Sequence, residues 1–334
     1  MTPFQFILNG DRLALSRLLT QVENDSPAGR AALIELFPRT GKAHLIGVTG
    51  APGVGKSSLV NQLVSHYRKT TKQRVAIIAV DPSSPFTGGA VLGDRVRMRD
   101  LAGDAGVFIR SMATRGSLGG LAQATANMAQ VFDAAGFEIV IIETVGAGQS
   151  EVDVARLAHT TLVVEAPGMG DDIQSIKAGI LEIADILIVN KADRPGVENT
   201  EKALKSMLEL AHPTPRMFQH HGTTMSVPVP EADAQTALWI PPVLRTVSTE
   251  GNGIAELAES IAQHLAHLNQ SGGWIMRERA RLETELDALI RAELMSRFRE
   301  DVSQKQYDEA LEKILQRDIS PLEAVKALMN GKAV

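Results

Sequence analysis

Short apolar segments alternate with longer segments of helical periodicity through the middle of the chain. Runs such as IVII and ILIV are apolar at successive positions, which is typical of strands buried on both faces of a parallel sheet. The alternation predicts an α/β fold with a mostly parallel sheet covered by helices. We predict strands at 43–49, 75–80, 106–109, 138–143, 160–165, 185–190 and 243–247. We predict helices near 56–70, 117–135, 171–182, 198–211 and 253–268.

Two flanking segments depart from this alternation. Residues 1–40 have apolar positions at helical spacing and predict a small N-terminal helical piece, which leaves 41–270 as the central domain. Residues 271–334 predict a helical extension with an apolar stripe, formed by Leu282, Leu286, Leu289, Ile290, Leu294 and Phe298. The stripe either folds back on the core or pairs with a second subunit. We favour a homodimer, because this helix lies beyond the last predicted strand. Residues 212–242, rich in Pro and His, predict a loop.

Composition and charge narrow the functional classes. The 334 residues have a net charge of −5, which gives no general attraction to nucleic acid or anionic membranes. The chain has no cysteine, so disulfides, thiol catalysis and cysteine-based metal centres are excluded. No basic start precedes a long apolar run, and no apolar stretch is long enough to span a membrane. We therefore expect a cytoplasmic protein.

A phosphate-binding motif follows the first predicted strand. The segment GAPGVGKS matches G-x-x-x-x-G-K-[ST] and opens a predicted helix, as the mechanism of that motif requires. Glycines let the backbone N–H groups surround phosphates, and the helix N-terminus favours negative charge. Lys56 is expected to reach the β- and γ-phosphates and to act in catalysis. We assign nucleotide binding to Gly50, Ala51, Pro52, Gly53, Val54, Gly55, Lys56, Ser57 and Ser58.

A base-recognition motif, Asn190-Lys191-Ala192-Asp193, ends the predicted strand DILIVN. A carboxylate at Asp193 accepts hydrogen bonds from guanine N1–H and the 2-amino group. Adenine offers neither arrangement, so this motif predicts GTP and GDP rather than ATP. Asn190 is expected to fix the loop, and the stem of Lys191 to cover the ring. A second guanine loop is predicted at Ser248, Thr249 and Glu250, after the strand VLRTV.

A Mg²⁺ ion that bridges two phosphates needs oxygen ligands near the phosphate-binding motif. Ser57 and three acidic residues at loop edges are the candidates: Asp81, Asp94 and Glu143. Glu143 begins E-T-V-G, which resembles the D-x-x-G of many GTPases. Gln149 lies three residues beyond Gly146, so spacing alone does not assign it the role of positioning water. We therefore predict slow intrinsic hydrolysis that a partner or a loop rearrangement completes.

Several long segments in order resemble the MeaB/ArgK/MMAA family of P-loop GTPases. They are GAPGVGKSSL, VDPSSPFTGGAVLGDRVRM, FIRSMATRGSLGGLA, ETVGAGQSEVDVA and APGMGDDIQSIKAGILEIADILIVNKAD. The resemblance implies a SIMIBI-type fold, the class of signal-recognition-particle and MinD-like GTPases, and a homodimer. It also implies a chaperone of adenosylcobalamin-dependent acyl-CoA mutases, chiefly methylmalonyl-CoA mutase. In such a chaperone, GTP hydrolysis gates cofactor delivery and protects the mutase.

The same resemblance implies three switch segments. The first surrounds Asp94, the second spans 143–151, and the third spans 168–177 and answers to the mutase. Lys177 is then a candidate for completing the hydrolysis site, although it equally suits a solvated helix position. Residues 215–242 do not resemble the family, and the chain has no D-x-H-x-x-G motif, so the corrinoid is expected on the partner.

Three alternatives remain from the sequence. A nickel-type metal-insertion GTPase would use cysteines or clustered histidines, and His212, His220 and His221 are the histidines to consider. A transport-linked ATPase or kinase would use ATP, which Asp193 opposes. A module that binds nucleotide without hydrolysis is less compatible with the presence of Lys56, Ser57 and Glu143.

Overall fold

The computed structural model describes residue 7 and residues 10–81, 98–101, 103–113, 120–144, 150–168, 183–211, 217–220, 223–226 and 238–330. The chain divides into two compact units, Met1–Arg279 and Ala280–Val334.

The first unit is built on a seven-stranded parallel sheet with the strand order β3-β2-β4-β1-β5-β6-β9. The strands are β1 His44–Thr49, β2 Val75–Asp81, β3 Val107–Ala113, β4 Ile139–Glu143, β5 Thr160–Glu165, β6 Ile186–Val189 and β9 Val243–Arg245. A separate antiparallel hairpin pairs β7 Met217–His220 with β8 Thr223–Ser226. The predicted α/β parallel sheet and its seven strands are confirmed.

The helices of this unit follow the predicted pattern, with differences. They are α1 Arg12–Glu23, α2 Pro27–Leu36, α3 Lys56–Thr70, α4 Gly120–Ala134, α5 Ser150–Leu157, α6 Val197–Ala211 and α7 Ile254–Ser271. Short 3₁₀ turns occupy Phe37–Arg39 and Arg99–Leu101. The helix α5 was not predicted. The prediction of a loop over 212–242 is wrong where β7 and β8 pair, and the helix predicted at 171–182 lies outside the described residues.

Side chains of successive strand residues alternate between two apolar layers. Ile77 of β2 packs with α3 and α7, whereas its neighbour Ile78 packs with α1 and α4 on the other face. A third layer joins α6 to β5 and β6 through Leu204 and Leu187. Burial on both faces explains why these strands have apolar residues at successive positions. The helices thereby hold the carboxyl ends of the central strands in place at one edge of the sheet.

The described residues beyond α7 are mostly helical. Their elements are α8 Gly273–Asp301, α9 Gln304–Leu315 and α10 Pro321–Met329. Capping boxes begin α9 and α10, in which Ser303 pairs with Gln306 and Ser320 with Glu323. Large apolar side chains of the second unit are exposed, namely Leu286, Leu289, Ile290, Leu294, Met295, Tyr307, Leu311, Leu315, Leu322, Val325 and Met329. No helix in the described part of the chain combines the length and hydropathy needed to cross a lipid bilayer.

Candidate nucleotide-binding site

The candidate site lies where the carboxyl ends of β1, β4, β5 and β6 meet, the edge at which open α/β sheets bind ligands. The phosphate-binding segment connects β1 to α3 at the centre of this edge. Lys56 is the first residue of α3, so the N-terminus of that helix points to the segment. The sequence prediction of a strand, a glycine-rich turn and a helix is confirmed.

Two glycines of the segment allow close backbone approaches. Gly50 has φ of 135°, and a Cβ atom there would lie 2.0 Å from the carbonyl oxygen of Val164 in β5. Gly55 has φ of 99°, and a Cβ atom there would lie 2.5 Å from Nδ2 of Asn190. Any side chain at Gly55 would therefore push the base-recognition motif away from the phosphate-binding segment.

Lys56 lies under the segment, and its side chain is buried. Its Nζ atom donates hydrogen bonds to the carbonyl oxygens of Gly50 at 2.8 Å and Ala51 at 2.9 Å. These bonds hold the ammonium group at the concave side of the turn. A phosphate oxygen is a stronger acceptor than a neutral carbonyl for this charged donor.

Ser57 and Glu143 come together across two neighbouring strands. Glu143 ends β4 and is paired in register with Val48 of β1, eight to nine residues before Lys56 and Ser57. The Ser57 hydroxyl donates a hydrogen bond to Oε1 of Glu143 at 2.6 Å, and both side chains are buried. A hydroxyl and a carboxylate are the hard oxygen donors that Mg²⁺ prefers, so this pair suits the metal.

Asn190 links the base motif to two other loops. Its Nδ2 donates to the carbonyl of Val54 at 2.8 Å. Its Oδ1 accepts from the hydroxyl of Thr246 at 3.1 Å, from Ser248 N at 3.2 Å and from the Ser248 hydroxyl at 2.8 Å. The side chain is only 2% exposed, so these bonds are shielded from water. One side chain thus fixes three segments together.

The next residues of the motif point toward solvent and the phosphate-binding segment. Lys191 has φ of 55°, and its Nζ donates to the carbonyl of Gly53 at 2.6 Å. Its stem therefore crosses from one loop to the other. Asp193 is exposed, so its carboxylate is accessible to a ligand. Thr249 and Glu250 are also exposed, whereas Ser248 is buried against Asn190.

Thr246 is a contributor that sequence reasoning missed. It directly follows the strand β9, outside both recognised motifs. Besides its bond to Asn190, its carbonyl accepts a hydrogen bond from the amide of Ala192 at 3.0 Å. The only signal in the sequence was its position just before the predicted Ser248 loop.

For the remaining predicted site residues the structure gives burial or backbone position alone, or they lie outside the described residues. Val54 is buried, Pro52 and Ser58 are exposed, and Asp81 ends β2, with only its backbone described. Asp94, Gln149 and Lys177 lie outside the described residues, as do His212 and His221. Within the part of the chain that is described, no three His, Asp or Glu side chains form a metal-binding group.

Sheet topology, the phosphate-binding segment and the base motif place the chain in the class of P-loop nucleotide-binding proteins. A family model described as "Methylmalonyl Co-A mutase-associated GTPase MeaB" matches residues 15–303. The chain belongs to this MeaB family, and it is a GTPase.

Similar proteins span nearly the whole chain. A Pyrococcus abyssi protein named as a GTPase is 42% identical over 321 residues, which cover 96% of this chain and 93% of that protein. The mitochondrial methylmalonic aciduria type A homolog of Caenorhabditis elegans is 30% identical over 309 residues, 88% of this chain and 73% of that protein. The crystal structure of LAO/AO transport system kinase aligns with a TM-score of 0.68 at 26% identity, covering 98% of this chain and 95% of that one.

Proposed function

We propose that this GTPase binds GTP with Mg²⁺ at the edge of the sheet described above and couples hydrolysis to an adenosylcobalamin-dependent acyl-CoA mutase. The main support for the nucleotide site is the set of hydrogen bonds from the Asn190 side chain. These bonds join the phosphate-binding segment, the base motif and the Ser248 loop. A nucleotide that spans these segments meets a preorganised surface.

The phosphate end is formed by the backbone of 50–57 and the Lys56 ammonium. In this proposal Lys56 exchanges its two carbonyl acceptors for β- and γ-phosphate oxygens, which lowers the cost of placing negative charge at the turn. Ser57 and Glu143 would hold Mg²⁺, with Asp81 and Asp94 as further candidate ligands. Bound Mg²⁺ supplies positive charge that offsets the charge developing on the transferred phosphoryl group.

The base end is formed by Asp193, which accepts from guanine, with Lys191 beside the ring. Ser248, Thr249 and Glu250 complete the proposed pocket. The exposed position of Asp193 and the tie from Lys191 to Gly53 support this assignment. Gln149 and Lys177 remain candidates for completing the hydrolysis site, and we propose that intrinsic turnover is slow until a partner binds.

The partner is proposed from the names of similar proteins. The family description contains the words "Methylmalonyl Co-A mutase-associated", and the relative from Caenorhabditis elegans is named for methylmalonic aciduria. We propose that GTP binding and hydrolysis by this chain gate cofactor loading and protect such a mutase. The mutase that we propose is methylmalonyl-CoA mutase. The corrinoid itself is assigned to the mutase.

A homodimer is proposed through residues 271–334. The support is the set of exposed apolar side chains on α8, including Leu289, Ile290 and Leu294. Burying a large exposed apolar surface of a helix against a partner lowers the free energy of the assembly.

The test is GTP hydrolysis by the purified protein with and without methylmalonyl-CoA mutase from the same source, with ATP as the competing substrate. The proposal expects several-fold acceleration by the mutase and no use of ATP. Ser57→Ala should abolish the Mg²⁺-dependent rate, and Ser65→Ala, further along α3, is the matched control. A GTPase rate that the mutase does not change would remove the partner and leave the nucleotide site standing.

A further inference from the structure

A cavity of about 340 Å³ lies at the opposite edge of the sheet, at the amino ends of β1 and β4. Its mouth is formed by exposed residues and its floor by buried ones. The mouth includes Lys42, Glu138, Ala262 and Asn269, and the floor includes His44, Tyr67, Ile139 and Ile261. This volume lies within the range of small-molecule sites. The nucleotide site follows the other end of β1, so the cavity is separate from it.

Two buried polar side chains of the floor have hydrogen-bonding capacity left over. His44 is 6% exposed, and its Nε2 bonds to the Thr160 hydroxyl at 2.7 Å. Tyr67 is 7% exposed. Neither Nδ1 of His44 nor the Tyr67 hydroxyl has a hydrogen-bond partner among the described residues. Neither atom is fully buried, so both are open to a polar group of a ligand in the cavity.

A chain of hydrogen bonds determines whether Nδ1 of His44 donates or accepts a hydrogen bond. Nε2 of His264 lies 3.2 Å from Oδ1 of Asp185, and Nδ1 of His264 lies 2.8 Å from the Thr160 hydroxyl. An ionised Asp185 only accepts, so Nε2 of a neutral His264 carries the hydrogen. Its Nδ1 then accepts from Thr160, whose oxygen accepts from Nε2 of His44. With His264 in its neutral form, Nδ1 of His44 therefore presents a lone pair.

The floor is uncharged. Burial, followed by repulsion from His159, lowers the pKa of His44 to about 3, so this ring is neutral at physiological pH. A lone pair at Nδ1 of His44 repels carboxylates and phosphates and attracts an N–H or O–H donor. Lys42 and Glu138 at the mouth have opposite charges, so neither sign of ligand charge is favoured there.

Part of the cavity wall is apolar and aromatic. Ile139 and Ile261 are almost fully buried, and the Trp274 ring lies with its centroid 6.3 Å from that of His44. We propose that this cavity binds a small, flat, uncharged ring compound that donates one N–H or O–H hydrogen bond to Nδ1 of His44, with the Tyr67 hydroxyl as its second polar contact. This site is independent of the nucleotide.

The test uses ¹⁹F NMR titration of the full chain at pH 8 with 5-fluoroindole, which has an N–H donor. The control compound is 5-fluorobenzothiophene, which has nearly the same outline and no donor. The proposal expects 5-fluoroindole to bind about tenfold more tightly than the benzothiophene. Equal affinity of the two compounds, or no binding of either, would overturn the proposal.

Variants at the mouth of the cavity and outside it show whether the ligand binds in this cavity. Ala262→Phe fills the mouth and should abolish binding, whereas Ala266→Phe, exposed one turn along α7 and outside the cavity lining, should leave it intact. If Ala262→Phe binds 5-fluoroindole as the unmodified chain does, the ligand lies elsewhere and the assignment is wrong.

Discussion

Replacing Asn190 by alanine removes four hydrogen bonds that join three loops. The side chain is 2% exposed and bonds to Val54, Thr246 and twice to Ser248, over distances of 2.8 to 3.2 Å. At about 1 kcal/mol net for each bond, and with some relaxation of the loops, we expect a loss of about 2–4 kcal/mol in the free energy of unfolding. The affinity for GDP should fall at least about tenfold, because the loops that would hold base and phosphate lose their common anchor.

Two further substitutions turn this into a graded experiment. Thr246→Val keeps the shape of the side chain and removes one of the four bonds, so it should cost about 0.5–1.5 kcal/mol. Asn199→Ala removes an exposed asparagine of α6 and should change the free energy of unfolding by less than about 0.5 kcal/mol. The free energies come from urea unfolding of the nucleotide-free protein, and affinities from fluorescence titration with labelled GDP.

The shared hydrogen bonds of Asn190 and Thr246 predict the order of the effects as well as their size. Asn190→Ala must cost clearly more than Thr246→Val, and the double variant must cost less than the sum of both, because the Thr246 bond is already absent in Asn190→Ala. If Asn190→Ala unfolds at the same urea concentration as the unmodified chain and binds GDP equally well, the side chain is not the anchor of the site.

The other predictions concern base choice, metal, pH and assembly. Asp193→Asn should lose the preference for GTP over xanthosine triphosphate, measured by competition binding, because an amide donates to the xanthine 2-oxygen; retained guanine preference would contradict the base assignment. Glu143→Gln should raise the Mg²⁺ concentration needed for half-maximal GTP hydrolysis at least several-fold, and an unchanged requirement would exclude Glu143 as a ligand. Burial of Asp185 opposes its ionisation, but hydrogen bonds from His264 and Arg277 prevail and lower its pKa to about 2. Because this pKa is depressed, the ionised group contributes about 2 kcal/mol of stability above pH 4, which is lost as pH falls toward 2; the stability gap between the unmodified chain and Asp185→Asn should therefore narrow between pH 7 and pH 3 in urea unfolding, and a constant gap would refute this. Ile290→Glu with Leu294→Glu should shift the mass measured by light scattering from dimer to monomer, and a dimer that persists would place the interface elsewhere.

The fold could be predicted from the sequence where burial on both faces of the sheet produces a simple pattern of apolar residues. The strand β6 is apolar at every position, and β4 at every position except its last residue, Glu143, because helices cover both faces of the sheet. The hairpin of β7 and β8 was missed because MFQH and TTMS lack an alternation of apolar and polar residues. The helix α5 was missed because its eight residues follow a glycine-rich motif and are too few for a clear helical period.

A candidate site could be proposed from the sequence where a local motif carries the chemistry. The phosphate-binding segment and the base motif could be found from spacing alone, as could Glu143 at the end of a strand. The bonds from Thr246 to Asn190, and the chain from His44 through Thr160 to His264, depend on segments that are far apart in sequence. Only the strand order brings these residues together, and a single sequence does not reveal that order.

The approach of Gly55 to Asn190 has a consequence for how this gene can change. The hydrogen bond from Asn190 reaches across 136 positions of the chain to Val54, and a Cβ at Gly55 would collide with the same amide at 2.5 Å. A mutation at either codon is therefore exposed to selection through the other. Among descendants of this gene, glycine at position 55 and asparagine at position 190 are therefore expected to be kept together or replaced together.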